Sequence, residues 1–399
     1  MAEATLKRQR GFALPRIIAV AAALLIAGCS TVVPKGPPPP VTRAPEGRPT
    51  TRPTPVEAGI PTDTDRDRVA LLVPMTGPNA GVGKSLANAT QMALLDTDSK
   101  LVRISTYDTN TGAAGAAQRA LADGARLILG PLLSEDVRAV APIAAAAHVP
   151  IVSFSNDASV AGGGVYLMGY EPAQAIDRVV DYAHQRGVSN FAGLIPNGLY
   201  GQRASTSFLR AVEDAGGQVV SLQTYDRSTA SIGGAVTRLA KNSPYDAVLI
   251  ADSGANAAAV APLVRKNGGT DAHILGTELW NSESAIASKA SLNGAWFASV
   301  SDDLYRQYAA KYRARFGAAP YRLSSLGYDA VLLTVRVARD WRPGSDFPES
   351  ALRDSGGFSG IDGAFRFGKG GIAQRALEVQ EIRGGATVTV SPAPSGFGK

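Results

Sequence analysis

From Arg68 onward, short unbroken apolar runs alternate with stretches of three-to-four spacing, and this alternation narrows the possible folds more than any other feature. The strand candidates are Val69–Val73, Val102–Tyr107, Leu127–Leu129, Ile151–Phe154, Asn190–Ile195, Val219–Tyr225, Ala247–Ala251 and His273–Gly276. Between them lie helical patterns at Leu86–Leu95, Ala116–Leu121, Val137–Ala147, Ile176–Tyr182, Ser205–Val212, Val236–Leu239 and Ala258–Val264. Strands alternating with helices of this size imply βαβ crossovers and parallel sheets covered on both faces. The run Val69-Ala70-Leu71-Leu72-Val73 is apolar at every position, as a strand buried on both sides requires. About 330 residues exceed one comfortable core, so the expectation is an α/β fold of two lobes. Towards the end, Phe365–Phe367, Arg375–Ile382 and Thr387–Val390 alternate and are joined by glycine-rich turns, which predicts a terminal antiparallel ribbon.

The amino terminus is of another kind. Lys7, Arg8, Arg10 and Arg16 precede an apolar core, Ile17 to Ala27, which ends at Leu24-Leu25-Ile26-Ala27-Gly28-Cys29. A charged start, a short apolar core and small residues before a cleavage point define a secretory signal. The core is too short to span a bilayer, which needs roughly 20 apolar residues. Cys29 is the only cysteine of the chain. The segment resembles a bacterial lipoprotein signal peptide (residues 1–28). That resemblance implies lipidation of Cys29 and, with Ser30 following it, sorting to the outer membrane of a Gram-negative cell. Residues 29–62 read as a tether: ten of the twenty-five prolines fall between Thr31 and Pro61. Such a segment buries too little surface to offset its ordering entropy. In extended polyproline geometry, at about 3.1 Å per residue, it would reach up to about 90 Å from an anchor.

Charge and composition exclude several classes. The chain carries +6, but Lys7, Arg8, Arg10 and Arg16 against Glu3, then Lys35, Arg43, Arg48 and Arg52 against Glu46 and Glu57, supply most of it. The folded part is therefore close to neutral, which argues against a nucleic-acid partner. One cysteine allows no internal disulfide. Three widely spaced histidines and no HExxH or CxxC leave no metal-ligand pattern, and no cofactor is expected. Asp63, Asp65 and Asp67 imitate a calcium loop, but Arg68 stands where glycine is needed and Pro74 where glutamate is. That run is read as a solvated lead-in to the first strand. Gly77 to Ser85 imitates a phosphate loop, yet the first required glycine falls on Pro78. Asp252, ending an apolar strand, imitates a magnesium ligand with no loop to serve. No G-x-S-x-G or S-x-x-K occurs, so no hydrolase constellation is present. The chain is expected not to be an enzyme.

Val69 to Pro78, leading into Gly81-Val82-Gly83, resembles the opening of type I periplasmic binding proteins of the Leu/Ile/Val-binding branch. Leu129 to Ser134, Val149 to Asn156, Leu199-Tyr200-Gly201, Gly276-Thr277-Glu278 and Gly327-Tyr328-Asp329-Ala330 continue the likeness in order. It covers roughly Arg68 to Arg383, within a domain placed at 63–392, with a tail at 393–399. Phe154-Ser155-Asn156-Asp157, together with the lipid signal and tether, resembles the penicillin-binding-protein activator group. The resemblance implies two lobes: 66–168 plus 294–342, and 169–293 plus 343–392, with a ligand cleft between them and hinge closure.

It also implies site residues. Ser134 reads as a helix N-cap or as a ligand-carboxylate contact. Ser153 and Ser155 would present hydroxyls to that carboxylate. Asp157 departs from the family, whose amino-acid receptors place a threonine there; it either repels a carboxylate or caps the next turn. Tyr200 would line the cleft from lobe two, and Glu278 would neutralise a ligand ammonium. Trp280 would wall the cleft or mark an interface. Two functions are implied. The first is an activator of a class A penicillin-binding protein, regulating peptidoglycan synthesis, with a cell-wall fragment as a possible ligand. The second is a solute receptor that delivers an amino acid to an ABC permease.

Overall fold

The computed structural model describes residues 65–241, 244–282, 285–394 and 396–397. The signal peptide, Cys29 and the proline tether expected above lie outside the described residues. The described part falls within one compact unit.

The first lobe opens with β1 (Asp67–Val73), α1 (Ala80–Asp96), β2 (Val102–Asp108), α2 (Ala113–Ala122), β3 (Leu127–Leu129), α3 (Ser134–Ala146), β4 (Ile151–Ser153) and β5 (Val165–Leu167). The five strands form one parallel sheet in the order β2-β1-β3-β4-β5. The chain then crosses to the second lobe. There follow α4 (Pro172–Gln185), β6 (Asn190–Pro196), α5 (Leu199–Ala215), β7 (Gln218–Tyr225), α6 (Thr229–Ala240), β8 (Ala247–Ile250), α7 (Gly254–Lys266), β9 (His273–Gly276) and β10 (Trp296–Ser299). It returns through α8 (Asp303–Phe316), α9 (Ser324–Ala338), β11 (Phe358–Gly360), β12 (Gly363–Phe367) and β13 (Ala373–Arg375), and crosses a third time into β14 (Glu378–Arg383) and β15 (Ala386–Ser391). The second sheet runs β15-β14-β10-β9-β8-β6-β7. This is the expected two-lobed α/β architecture with parallel sheets flanked by helices.

The central strands are apolar because both faces are covered. Val69, Leu71 and Val73 of β1 pack on the α1 and α9 side, while Ala70 and Leu72 pack on the α2 and α3 side. In the second lobe Ala247 and Leu249 of β8 face α4 and α5, whereas Val248 and Ile250 face α6 and α7. α1 and α9 approach closely at Gly327, where a Cβ would meet the Leu86 carbonyl oxygen at 2.8 Å.

Four expectations need correction. The stretch 294–299 belongs to the second lobe, because β10 pairs in parallel with β9 and antiparallel with β14. Residues 343–375 belong with the first lobe: Phe347, Leu352, Phe358, Phe365, Phe367 and Ala373 join the core that contains β1 and α9. The third crossing is therefore near Ala376, and the terminal segments are not one ribbon. They form a three-stranded sheet, β11-β12-β13, and a separate β14-β15 hairpin on the second sheet. The alternation read through Arg375–Ile382 runs across this break, from the last residue of β13 into β14. Asp67 is not solvated either. It is buried at the start of β1, accepts a hydrogen bond from the Gly344 amide at 3.3 Å, and burial raises its carboxyl above the usual range.

Candidate functional site

In open α/β sheets ligands bind beyond the carboxyl ends of the strands. Here β3, β4, β6 and β9 all end towards the space between the lobes, delivering Leu132-Leu133, Phe154 to Asp157, Leu199-Tyr200 and Thr277-Glu278. That space has two compartments. The inner one is a cavity of about 410 Å³, walled mainly by apolar side chains such as Val82, Leu133, Phe154, Leu279 and Leu323. Its charged members are two carboxylates, Glu171 and Glu278, and two guanidinium groups, Arg322 and Arg375, with Asn79, Asn156, Gln174 and Asn281 among the neutral polar ones. The outer one, of about 250 Å³, includes Ser134, Ser155, Asp157, Tyr200 and Arg203, and shares Leu132, Leu133 and Asn156 with the inner.

Glu278 follows β9 by two residues, so the strand end carries it into the cleft. The Tyr200 hydroxyl donates to its Oε1 at 3.2 Å and lies 2.9 Å from the Thr277 hydroxyl. Oε2 is buried without a hydrogen-bond partner. Loss of solvent pushes the carboxyl up to about 7, against the Tyr200 hydrogen bond, and the charge of Glu171 adds to the rise. Burial and the neighbouring carboxylate also raise the Tyr200 phenol. A carboxylate that is half unsatisfied in a dry site is costly unless a partner arrives.

The serine side is built differently. The Ser153 hydroxyl donates to the Pro131 carbonyl at 2.8 Å and accepts from the Ser155 amide at 3.0 Å. The Ser155 hydroxyl accepts from the Asp157 amide at 3.1 Å. These hydroxyls stiffen the loop after β4. Asp157 caps a single 3₁₀ turn by accepting from the Ser159 amide at 2.9 Å. It also pairs with Arg138 of α3 at 2.9 Å and, across the cleft, with Arg203 of α5 at 2.5 Å. These donors hold its carboxyl well below the usual carboxylate range despite burial. Ser134 is not the N-cap of α3. Leu133 takes that position without a side-chain bond, and the Ser134 hydroxyl instead accepts from Arg138 at 3.3 Å. Trp280 neither walls the cleft nor marks a surface: it is fully buried beneath Gly276 and donates to the Asp252 carbonyl at 3.1 Å.

The other imitated motifs resolve structurally. Asp252 is held by Arg227, Tyr225 and Asn256, and Gly83 is packed against the Pro74 carbonyl.

Sequence reasoning missed a polar group at the hinge. Arg322, at the loop before α9, donates to Asp362 at 2.7 Å and Ser325 at 3.0 Å, and stacks on the Tyr305 ring at 3.9 Å. Tyr170 also donates to Asp362, and Arg375 stacks over Tyr170 at 5.1 Å. Tyr170, Asp302 and Arg375 stand at the three crossings. No short motif marks them, because they converge from residues 170 to 375.

A model of the periplasmic binding protein family matches residues 68–386. The chain belongs to that family. Among solved structures, a putative branched-chain amino acid ABC transporter protein of Rhodospirillum rubrum is 19% identical, with 82% of this chain and 100% of that one covered at a TM-score of 0.73. A leucine-binding protein of Thermotoga maritima is 21% identical, covering 82% and 98% at 0.62. A solute-binding protein of Rhodopseudomonas palustris BisB5, in complex with 3,4-dihydroxybenzoic acid, is 19% identical, covering 82% and 97% at 0.62. These likenesses are to the fold. An uncharacterized protein of Rickettsia prowazekii (strain Madrid E) is 25% identical over 176 residues; the match spans 44% of this chain and 47% of that relative. In this periplasmic binding protein the cleft lies where the family places it, between the two lobes.

Proposed function

We propose that the protein is a non-enzymatic solute receptor of the periplasm, which closes its two lobes on a small molecule and presents it to an ABC permease. The observation that carries this reading is Glu278: a buried carboxylate with one bare oxygen, oriented by Tyr200, at the wall of an apolar cavity. A few convergent polar groups in a large apolar pocket are what a small-molecule site requires. The fold neighbours include binding proteins of branched-chain amino acid transporters, which supports the same reading.

Cys29 is proposed as an acylated anchor, with the proline tether suspending the folded part from the membrane, and Ser30 favours the outer membrane. Labelling with a palmitate analogue tests this: the parent chain should take up label and a Cys29→Ser variant should not. Activation of a class A penicillin-binding protein rests on this anchor, the tether and the Phe154–Asp157 segment. Phe154 lines the cavity and Asp157 is tied into ion pairs, so that segment supports cleft architecture better than an outward contact. Co-purification with a peptidoglycan synthase, without any small-molecule binding, would favour the regulator instead.

The receptor reading is tested by a thermal-shift screen of amino acids and small organic acids. A ligand at 100 times its Kd should stabilise the fold by about 2.7 kcal/mol. Glu278→Ala should remove the shift. A screen without any shift sinks the reading.

A further inference from the structure

The expected contact for a ligand carboxylate, the hydroxyls of Ser153 and Ser155, is already committed. Ser153 is bonded to Pro131 and Ser155, and Ser155 to Asp157. The adjoining Asp157 carboxylate already occupies Arg138 and Arg203, the nearest guanidinium groups on that side. The same cavity has unspent donors elsewhere. Arg375 uses only Nη2, which donates to the Met168 carbonyl at 2.5 Å, and its Nε and Nη1 have no hydrogen-bond partner. Arg322 uses Nη1, whereas Nε and Nη2 make no hydrogen bond; Nη2 stands 3.6 Å from Asp302. Both residues are more than nine-tenths buried, at 9% and 8% exposure, and both line the inner cavity with Glu278. Asp362, the buried carboxylate between them, is fully engaged by Arg322, Tyr170 and Ser325.

We propose that Arg322 and Arg375 form an anion subsite, and that the ligand is a small organic acid with an apolar body. Its carboxylate sits at the arginines, its body against Leu279 and Leu323, and any amine or hydroxyl it carries faces Glu278. The inference rests on the receptor reading. It moves the carboxylate from the loop after β4 to the hinge. Guanidinium groups are suited to this by their planar fork of donors, and a buried guanidinium with idle N–H groups gains most from an anion. The idle atoms are covered while the lobes are together. Arg375 directly precedes the third crossing and Tyr170 stands at the first, so opening of the lobes uncovers them and an incoming carboxylate completes the hinge network.

The test uses matched pairs titrated into the full chain by calorimetry: 4-methylpentanoate and 4-methylpentanamide, leucine and leucinamide, benzoate and benzamide. In at least one pair the acid should bind roughly tenfold or more tightly than the amide, as loss of a charge-assisted hydrogen bond implies. Arg375→Gln should weaken that acid by a similar factor and leave the amide unchanged. If amides bind as well as acids, or Arg375→Gln leaves the acid untouched, the subsite is wrong and the receptor reading stands. If none of the six binds, the subsite proposal falls, and the broader thermal-shift screen alone decides the receptor reading. Should Arg375→Gln fail to fold by circular dichroism, the acid–amide comparison on the unmodified chain decides alone.

Discussion

Asp157 of the first lobe and Arg203 of the second meet at 2.5 Å, an ion pair that ties the lobes across the mouth of the cleft. The Asp157 side chain is buried, Arg203 is partly exposed, and Arg138 braces the carboxylate from its own lobe. Arg203→Ala removes the cross-lobe member while Arg138 still pairs with Asp157. The lobes of the empty protein should then open, giving a larger radius of gyration by small-angle X-ray scattering. An unchanged radius would show that hinge packing alone sets closure.

Acid should act on the same tie. The Asp157 carboxyl is held below its ordinary value, so its stabilising contribution is present above pH about 4 and is lost as pH falls further. The radius of gyration should rise on acidification below pH 4, and an Asp157→Asn variant should be expanded already at neutral pH.

Glu278 has the opposite sign. Its carboxyl is raised from 4.5 to about 7, so the native state binds the extra proton and stability falls as pH rises from about 4.5 to 7. The cost at neutral pH is on the order of 3 kcal/mol. Glu278→Gln should flatten that part of the pH–stability curve measured by urea denaturation, and a slope equal to that of the parent would place its origin elsewhere.

The hinge ion pair gives a stability prediction. Arg322 and Asp362 are both buried, at 7% and 0% side-chain exposure. Asp362→Ala leaves the guanidinium without its nearest counter-charge and should cost about 3–5 kcal/mol. Chemical denaturation measures it. A loss below about 1 kcal/mol, the value of an exposed pair, would show that water or Asp302 replaces the partner.

Gly201 is a packing requirement rather than a flexible point. A Cβ there would run into the Pro196 carbonyl oxygen, and backbone cannot swing aside as a side chain can. Gly201→Ala should shift the start of α5, lower stability by about 1–3 kcal/mol, and displace Tyr200 and Arg203 together. Thermal melting reads the first effect and scattering the second.

The eight expected strands all form; inner ones such as β1, β3 and β8 are apolar because both faces are covered, whereas the edge strands β2 and β7 are only partly buried. β5, β10, β11 and all but the last residue of β13 escaped notice. Three or four residues carry too little periodicity, and Trp296–Ser299 is set among turns. The cleft residues were legible in part. Tyr200 and Glu278 follow strand ends, where topology alone directs side chains to the cleft. Arg322 and Arg375 had no local signal, because a guanidinium in a loop reads the same whether it faces solvent or stacks on a buried tyrosine.

The sequence by itself determined the layered α/β architecture, the strand–helix alternation and the strand ends that bear Asp157, Tyr200 and Glu278. Each of these follows from local periodicity and burial. Only the tertiary structure decided which sheet receives β10, where the chain crosses for the third time, and which hydroxyls and guanidinium groups remain unpaired in the cleft. Those outcomes depend on contacts between residues more than a hundred positions apart, such as Gln174 with Arg375 and Tyr170 with Asp362. Hydrogen-bond satisfaction is a property of the assembled neighbourhood, and one stretch of sequence does not contain it.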